Sequence, residues 1–228
     1  MTRNQRRAAV VEILGLPGSG KTTTARALSR TDAVLAMHRY RSWGNVVAYV
    51  ASAIQLAPGM VTAARHGASW RDLRRLIRLA SSDAVVRRLR RRQAVHAVVL
   101  DQGPVFLLRQ ISASPGSPVE PIARYRSRYL HRWADTLDLV VVLDASDDVL
   151  LARTRGREKR HRLKDMAADD APQELKAERR SMEAMLSELA AAGSAEICMV
   201  DTGNASVDET VVAVLRCIDA VRASPQQV

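Results

Sequence analysis

Short, uninterrupted apolar runs alternate along this chain with longer stretches of helical period. Val10, Val11, Ile13 and Leu14 form the first run, broken only by Glu12. The segments "AVLAM" (residues 33–37), "AVHAVVLDQGP", "LDLVVVLDAS" and "EICMVD" supply four more. Between them lie helical patterns. One begins at Thr23, Thr24, Ala25 and Ala27, and one in "RYRSWGNVVAYVASAIQLAPG" is expected to close at Pro58 and Gly59. A basic helix runs from Trp70 to Arg92 with Leu73, Ile77, Ala80 and Ala84 on one stripe, and Ser81, Ser82 and Asp83 are expected to interrupt it. Further helices contain Tyr125 and Tyr129, follow "LDLVVVLDAS", span Ala177–Ala191 and span Val207–Val221.

Continuous apolar strands alternating with helices describe an α/β fold: a five-stranded, mostly parallel sheet with helices on both faces. Ligands on such sheets bind beyond the carboxyl ends of the strands. At 228 residues the chain is expected to form a single domain, 1–228.

The first strand leads into "LGLPGSGKTTT". Glycines 15, 18 and 20 let the backbone turn tightly and aim successive amides inward, and the helix that follows opens with free N–H groups. Strand, Gly15-x-x-Gly18-x-Gly20-Lys21-Thr22 and helix satisfy the phosphate-binding loop pattern in full. Gly15, Pro17, Gly18, Ser19, Gly20, Lys21, Thr22 and Thr23 are therefore the nucleotide-binding candidates. Lys21 is expected on the β- and γ-phosphates, and Thr22 on Mg²⁺.

Composition changes this picture little. The net charge of +11 comes almost wholly from arginine, with only four lysines, and favours anionic partners. No zinc-finger, helix-turn-helix or aromatic-strand signature accompanies it, so phosphorylated small molecules are expected rather than dedicated nucleic-acid binding. Apolar runs such as "VVVL" are too short to cross a bilayer, and "MTRNQRRAAVVEIL" has no signal-peptide core. Cys198 and Cys217 have no metal-ligand or redox spacing and are expected to be buried free thiols. A cytoplasmic protein with no membrane partner follows, and a homodimer stays open.

Two strand ends carry acids. Asp101 is the stronger candidate for taking a proton from an acceptor hydroxyl or organising Mg²⁺, because Gln102 and Gly103 extend the polar end and Gly103 permits close approach. Asp144 is the weaker candidate, because its neighbours Ser146 and Asp147 suit a helix cap equally well. Seven cations crowd "LARTRGREKRHRLKD", which suggests an Arg-rich lid over residues 153–164, with Arg153 and Arg157 leading. An acceptor pocket is expected from His38, Arg39, Tyr40 and Trp43, with Gln102, Arg124 and Arg128 as further contacts.

Together, the loop at Gly15–Thr22, the strand ending at Asp101, the Arg-rich segment after "VVVLDAS" and the late "MVDTGNASVDETVVAVL" resemble the phosphate-loop nucleoside and nucleotide kinases, especially their thymidylate-kinase-like branch. The resemblance implies a P-loop NTPase fold with a five-stranded parallel sheet and MgATP as phosphoryl donor. It also implies an Arg-bearing lid, phosphate contact by Lys21, Mg²⁺ at Thr22 and an acidic role for Asp101. Members of that branch commonly follow the acidic strand end directly with Arg; here the pair is Asp101-Gln102, and His161-Arg162 stands near where a lid Asp-Arg would be. The expected activity is ATP-dependent transfer of a γ-phosphoryl group to a nucleoside, nucleotide or other small acceptor, including a specialised metabolite. The alternative is a regulatory P-loop ATPase or GTPase; against the latter, the chain has no guanine-selecting Asn/Thr-Lys-x-Asp element.

Overall fold

Strand β1 (Ala9–Gly15) occupies the centre of the sheet, and its residues from Ala9 to Leu14 are all buried. In the computed structural model, residues 7–31, 34–37, 43–90, 96–112, 119–156, 166 and 170–223 are described, with backbone alone at 35–37 and 43–45. Helix α1 (Lys21–Leu28) leaves the phosphate loop and leads to β2 (Val34–Met37). Helices α2 (Trp43–Arg65) and α3 (Trp70–Arg90) follow and pack along one another before β3 (Ala97–Asp101). Next come α4 (Pro104–Ser112), α5 (Glu120–Ala134), β4 (Leu139–Asp144), α6 (Asp147–Arg155), α7 (Asp170–Ala192), β5 (Glu196–Asp201) and α8 (Val207–Ala223).

The strand order is β2-β3-β1-β4-β5, and all four pairings are parallel. The expected sheet of five strands, mostly parallel and covered on both faces, is corrected in two respects. The sheet is parallel throughout, and the double cover fails at β5. Cys198 and Val200 pack toward α8, while Ile197 and Met199 on the opposite face are exposed. The layer formed by α3, α4, α5 and α7 stops short of this edge. The expected lid lies mostly within 157–165, outside the described residues, and only Arg153–Gly156 of it can be placed.

Alternation along β1 divides the core into two layers. Val10 and Leu14 meet α3, α4, α5 and α7; Val11 and Ile13 meet α1 and α8. Glu12 falls on the first of these faces, fully buried. At the opposite end of β1 from the phosphate loop, the Val10 amide donates to Asp138 Oδ2 over 2.7 Å, and Arg90 pairs with the same oxygen.

Three local expectations are overturned by tertiary packing. Helix α2 does not stop at Pro58 and Gly59 but continues to Arg65. Proline removes one amide donor, yet the helix is held along α3, and Gly59 lets Tyr125 of α5 approach so closely that a Cβ there would lie 1.9 Å from the phenol oxygen. Helix α3 runs through Ser81–Asp83 without a break. Both serine hydroxyls donate back to the Arg78 carbonyl, at 2.9 and 2.7 Å, while Asp83 pairs with Arg87 and Arg132. Cys198 on β5 and Cys217 on α8 form a disulfide rather than free thiols, because α8 packs directly on β5.

Helix α2 also alters the membrane argument made from the apolar runs. Val46–Arg65 is long and apolar enough to cross a membrane by length and composition. In this fold its inner face, including Ser52, Leu56 and Ala63, is buried, while Val47, Val50, Ile54 and Val61 are exposed.

Candidate active site

The phosphate loop takes its shape from three glycines at positive φ: Gly15 at 148°, Gly18 at 89° and Gly20 at 85°. At Gly15 space is limiting as well, since a Cβ would meet the Leu143 carbonyl oxygen at 2.3 Å. At Gly20 a Cβ would make only ordinary contact, 3.9 Å from Thr24 Oγ1, so there the left-handed backbone alone requires glycine. Gly20 stands at the N-cap of α1 without a side chain. The first-turn amides of α1 are thereby directed toward the loop, where they suit an anion.

Lys21 Nζ donates to the Leu16 carbonyl over 2.8 Å and lies 3.5 Å from Ser19 Oγ, so its cation curls over the loop. Thr22 Oγ1 donates to Asp101 Oδ2 over 3.3 Å. Parallel pairing explains the encounter: Ile13 of β1 is in register with Asp101 of β3, so the acid ends beside the loop that β1 enters. Two oxygens close together here fit a magnesium ion that takes its remaining ligands from water and phosphate. Among the described residues, no group of three or more His, Cys, Asp or Glu side chains could hold a metal.

Beside Asp101, Gln102 adopts φ 57° and is exposed, an uncommon backbone state for a residue with a Cβ. The turn then enters α4, whose Val105 and Phe106 amides donate to the two oxygens of Glu12 at 2.8 and 3.0 Å. Burial pushes the Glu12 carboxyl from 4.5 up to about 8, while the amides of Phe106, Val105 and Gly103 pull it back down. Sequence reasoning registered Glu12 only as the polar break in the first strand. That break was the one available signal.

The remaining candidates are dispersed. Arg153 projects from α6 to the β5–α8 turn, donating to the carbonyls of Thr202 and Gly203 at 2.8 and 3.0 Å. Asp144 is engaged by Arg179 of α7, which also binds Asp147 at 2.8 Å. Ser146 occupies the N-cap of α6 but makes no side-chain cap bond. His38, Arg39, Tyr40 and Arg157 lie outside the described residues, and Trp43 is placed only by its backbone at the start of α2.

Arg124 and Arg128 line a cavity of about 350 Å³ between α2 and α5, together with Gly59, Thr62, Glu120 and Tyr125. Glu120 accepts from Arg124 over 2.6 Å at an exposed position, so this pair shapes the rim and adds little stability. Glu120 and Thr62 were not among the sequence candidates, since nothing in their spacing ties α2 to α5.

No family model matches the chain, and no curated protein matches it in sequence. Solved structures do. A thymidylate kinase from Candida albicans superposes with a TM-score of 0.54 at 14% identity, covering 94% of this chain and 92% of that one. A deoxyadenosine kinase from M. mycoides with bound dATP gives a TM-score of 0.51 at 12% identity, covering 92% and 99%. The likeness spans nearly the whole of each chain, and this protein has the fold of the phosphate-loop nucleotide and nucleoside kinases.

Proposed function

We propose that the protein is an ATP-dependent phosphotransferase that moves the γ-phosphoryl group to a small hydroxyl- or phosphate-bearing acceptor. A nucleoside, a nucleotide and a specialised metabolite all fall within that class. The observation that carries this reading is the contact between Thr22 and Asp101, which joins a complete phosphate loop to an acidic strand end.

In this reading the loop from Gly15 to Thr23 cradles the phosphates with backbone amides, and Lys21 leaves the Leu16 carbonyl to neutralise the transferring group. Magnesium, when bound, supplies charge neutralisation across the phosphates, and Thr22 with Asp101 would hold it. Asp101 is also the group available to take the acceptor's proton. Gln102 follows it in the chain as a further acceptor contact, and the cavity carrying Arg124 and Arg128 is the candidate acceptor entrance. The whole chain acts as one catalytic domain in an ATP-rich setting.

A regulatory ATPase is the competing class. The two separate in an assay that follows γ-labelled ATP across a panel of nucleosides, nucleotides, shikimate-like polyols and aminoglycosides. Label in an organic acceptor supports transfer. Label found only in inorganic phosphate across the panel overturns it.

A further inference from the structure

Glu12 carries a carboxyl group fully removed from water, and it lies outside the phosphate-loop motif. Its surroundings explain why it is there. Helix α4 opens at Pro104, which has no amide, after Gly103, which has no side chain to cap the helix. Val105 and Phe106 hold the next two amides, the ones an N-cap side chain ordinarily satisfies. Each donates to a different oxygen of Glu12. A neighbouring strand thus caps α4 with one carboxyl group, both of whose oxygens accept from the helix. The missing side chain at 103 makes room: a Cβ there would lie 2.9 Å from Glu12 Cδ.

Between this clamp and the phosphate loop sits a short turn. Asp101 is tied to Thr22 on one side, Gln102 holds its left-handed backbone in the middle, and Gly103 leads into the capped helix on the other. Glu12 and Gly15 belong to the same strand, so the Glu12 side chain references the turn to the strand that carries the loop. We infer that Glu12 is a positioning residue for phosphoryl transfer, holding Asp101 and Gln102 in register with Lys21 and Thr22. The inference rests on the phosphotransferase reading and extends it to a residue that touches neither nucleotide nor acceptor.

The test uses the full chain with MgATP as probe and water as acceptor, alongside Glu12→Gln. The glutamine keeps the volume but sets an NH₂ group against one of the two amide donors. Turnover at saturating MgATP should fall roughly tenfold or more, since small misplacements of reacting groups are costly. The KM for MgATP should stay within about threefold, because the cradle itself is intact. Circular dichroism confirms the fold, and amide signals of Asp101, Gln102 and Thr22 should shift with those of Val105 and Phe106.

A second variant guards against simple destabilisation. In Glu12→Ala/Gly103→Ser, the new side chain enters the vacated space and caps α4 locally, which should restore most of the turnover lost in Glu12→Ala. Unchanged turnover in folded Glu12→Gln overturns the inference. So does a double variant that regains thermal stability without regaining turnover. Wild-type protein that neither binds nor hydrolyses MgATP counts against the phosphotransferase reading instead. The positioning link is then judged by the amide signals alone, and fails if Asp101, Gln102 and Thr22 do not respond to Glu12→Gln.

Discussion

Thr22 and Asp101 meet side chain to side chain across 79 residues of sequence, with Thr22 Oγ1 donating to Asp101 Oδ2 over 3.3 Å. The phosphate loop and the end of β3 therefore form one site. Asp101→Asn keeps the size and much of the hydrogen bonding while removing the charge. Turnover should drop about 100-fold or more, while the thermal midpoint stays near that of the parent. A Mg²⁺ titration of the variant separates lost metal affinity from a lost proton acceptor. Full activity in the folded variant rejects both roles.

Lys21 Nζ donates to the Leu16 carbonyl inside the phosphate loop. Lys21→Ala should leave the fold in place and lower transfer by roughly two orders of magnitude or more, because the cation acts most strongly on charge that develops during transfer. Steady-state kinetics at saturating MgATP, with circular dichroism on the same sample, measures this. Wild-type turnover would remove Lys21 from the mechanism.

The Cys198–Cys217 disulfide closes a loop with a sequence separation of 19. Chain-entropy reasoning assigns such a loop about 3 kcal/mol of stabilisation. Reduction, or Cys217→Ser, should lower the thermal midpoint by roughly 6–12 °C for a chain of this size. The phosphate loop lies on other strands, so nucleotide binding below the transition should change little. Thiol labelling of the denatured protein, with and without reductant, counts the bond directly.

Glu12 gives stability a definite pH slope. Burial raises its carboxyl from 4.5 to about 8, so between those values the folded chain holds a proton that the unfolded chain has released. Stability then falls as pH rises through this window, by up to about 1.4 kcal/mol per pH unit. Asp138, also raised by burial, adds in the same direction nearer the acid end. Denaturant unfolding across the window should show the decline in wild type and a flatter profile in Glu12→Gln. Equal slopes in the two proteins would mean that Glu12 does not hold the proton.

Local patterns were sufficient wherever a single stretch of chain carries its own constraint. The phosphate loop was legible because glycine spacing, Lys21 and Thr22 act through the backbone of one turn. Strand runs such as "VVVLD" were legible because both of their faces are buried, leaving no polar alternation. Asp101 was legible as a polar stop after an apolar run. Other features depend on partners remote in sequence. Pro58 and Gly59 read as a helix end until α3 and Tyr125 pack against α2, and Ser81–Asp83 read as a break until their side chains find Arg78, Arg87 and Arg132. The two cysteines carried no spacing that could announce their bond; the packing of α8 on β5 made it. Above all, the sequence alone determined that this chain has a phosphate loop and an acidic strand end. Parallel pairing of β1 with β3 decided that they meet, and that Glu12 caps α4, since register is a property of two strands together.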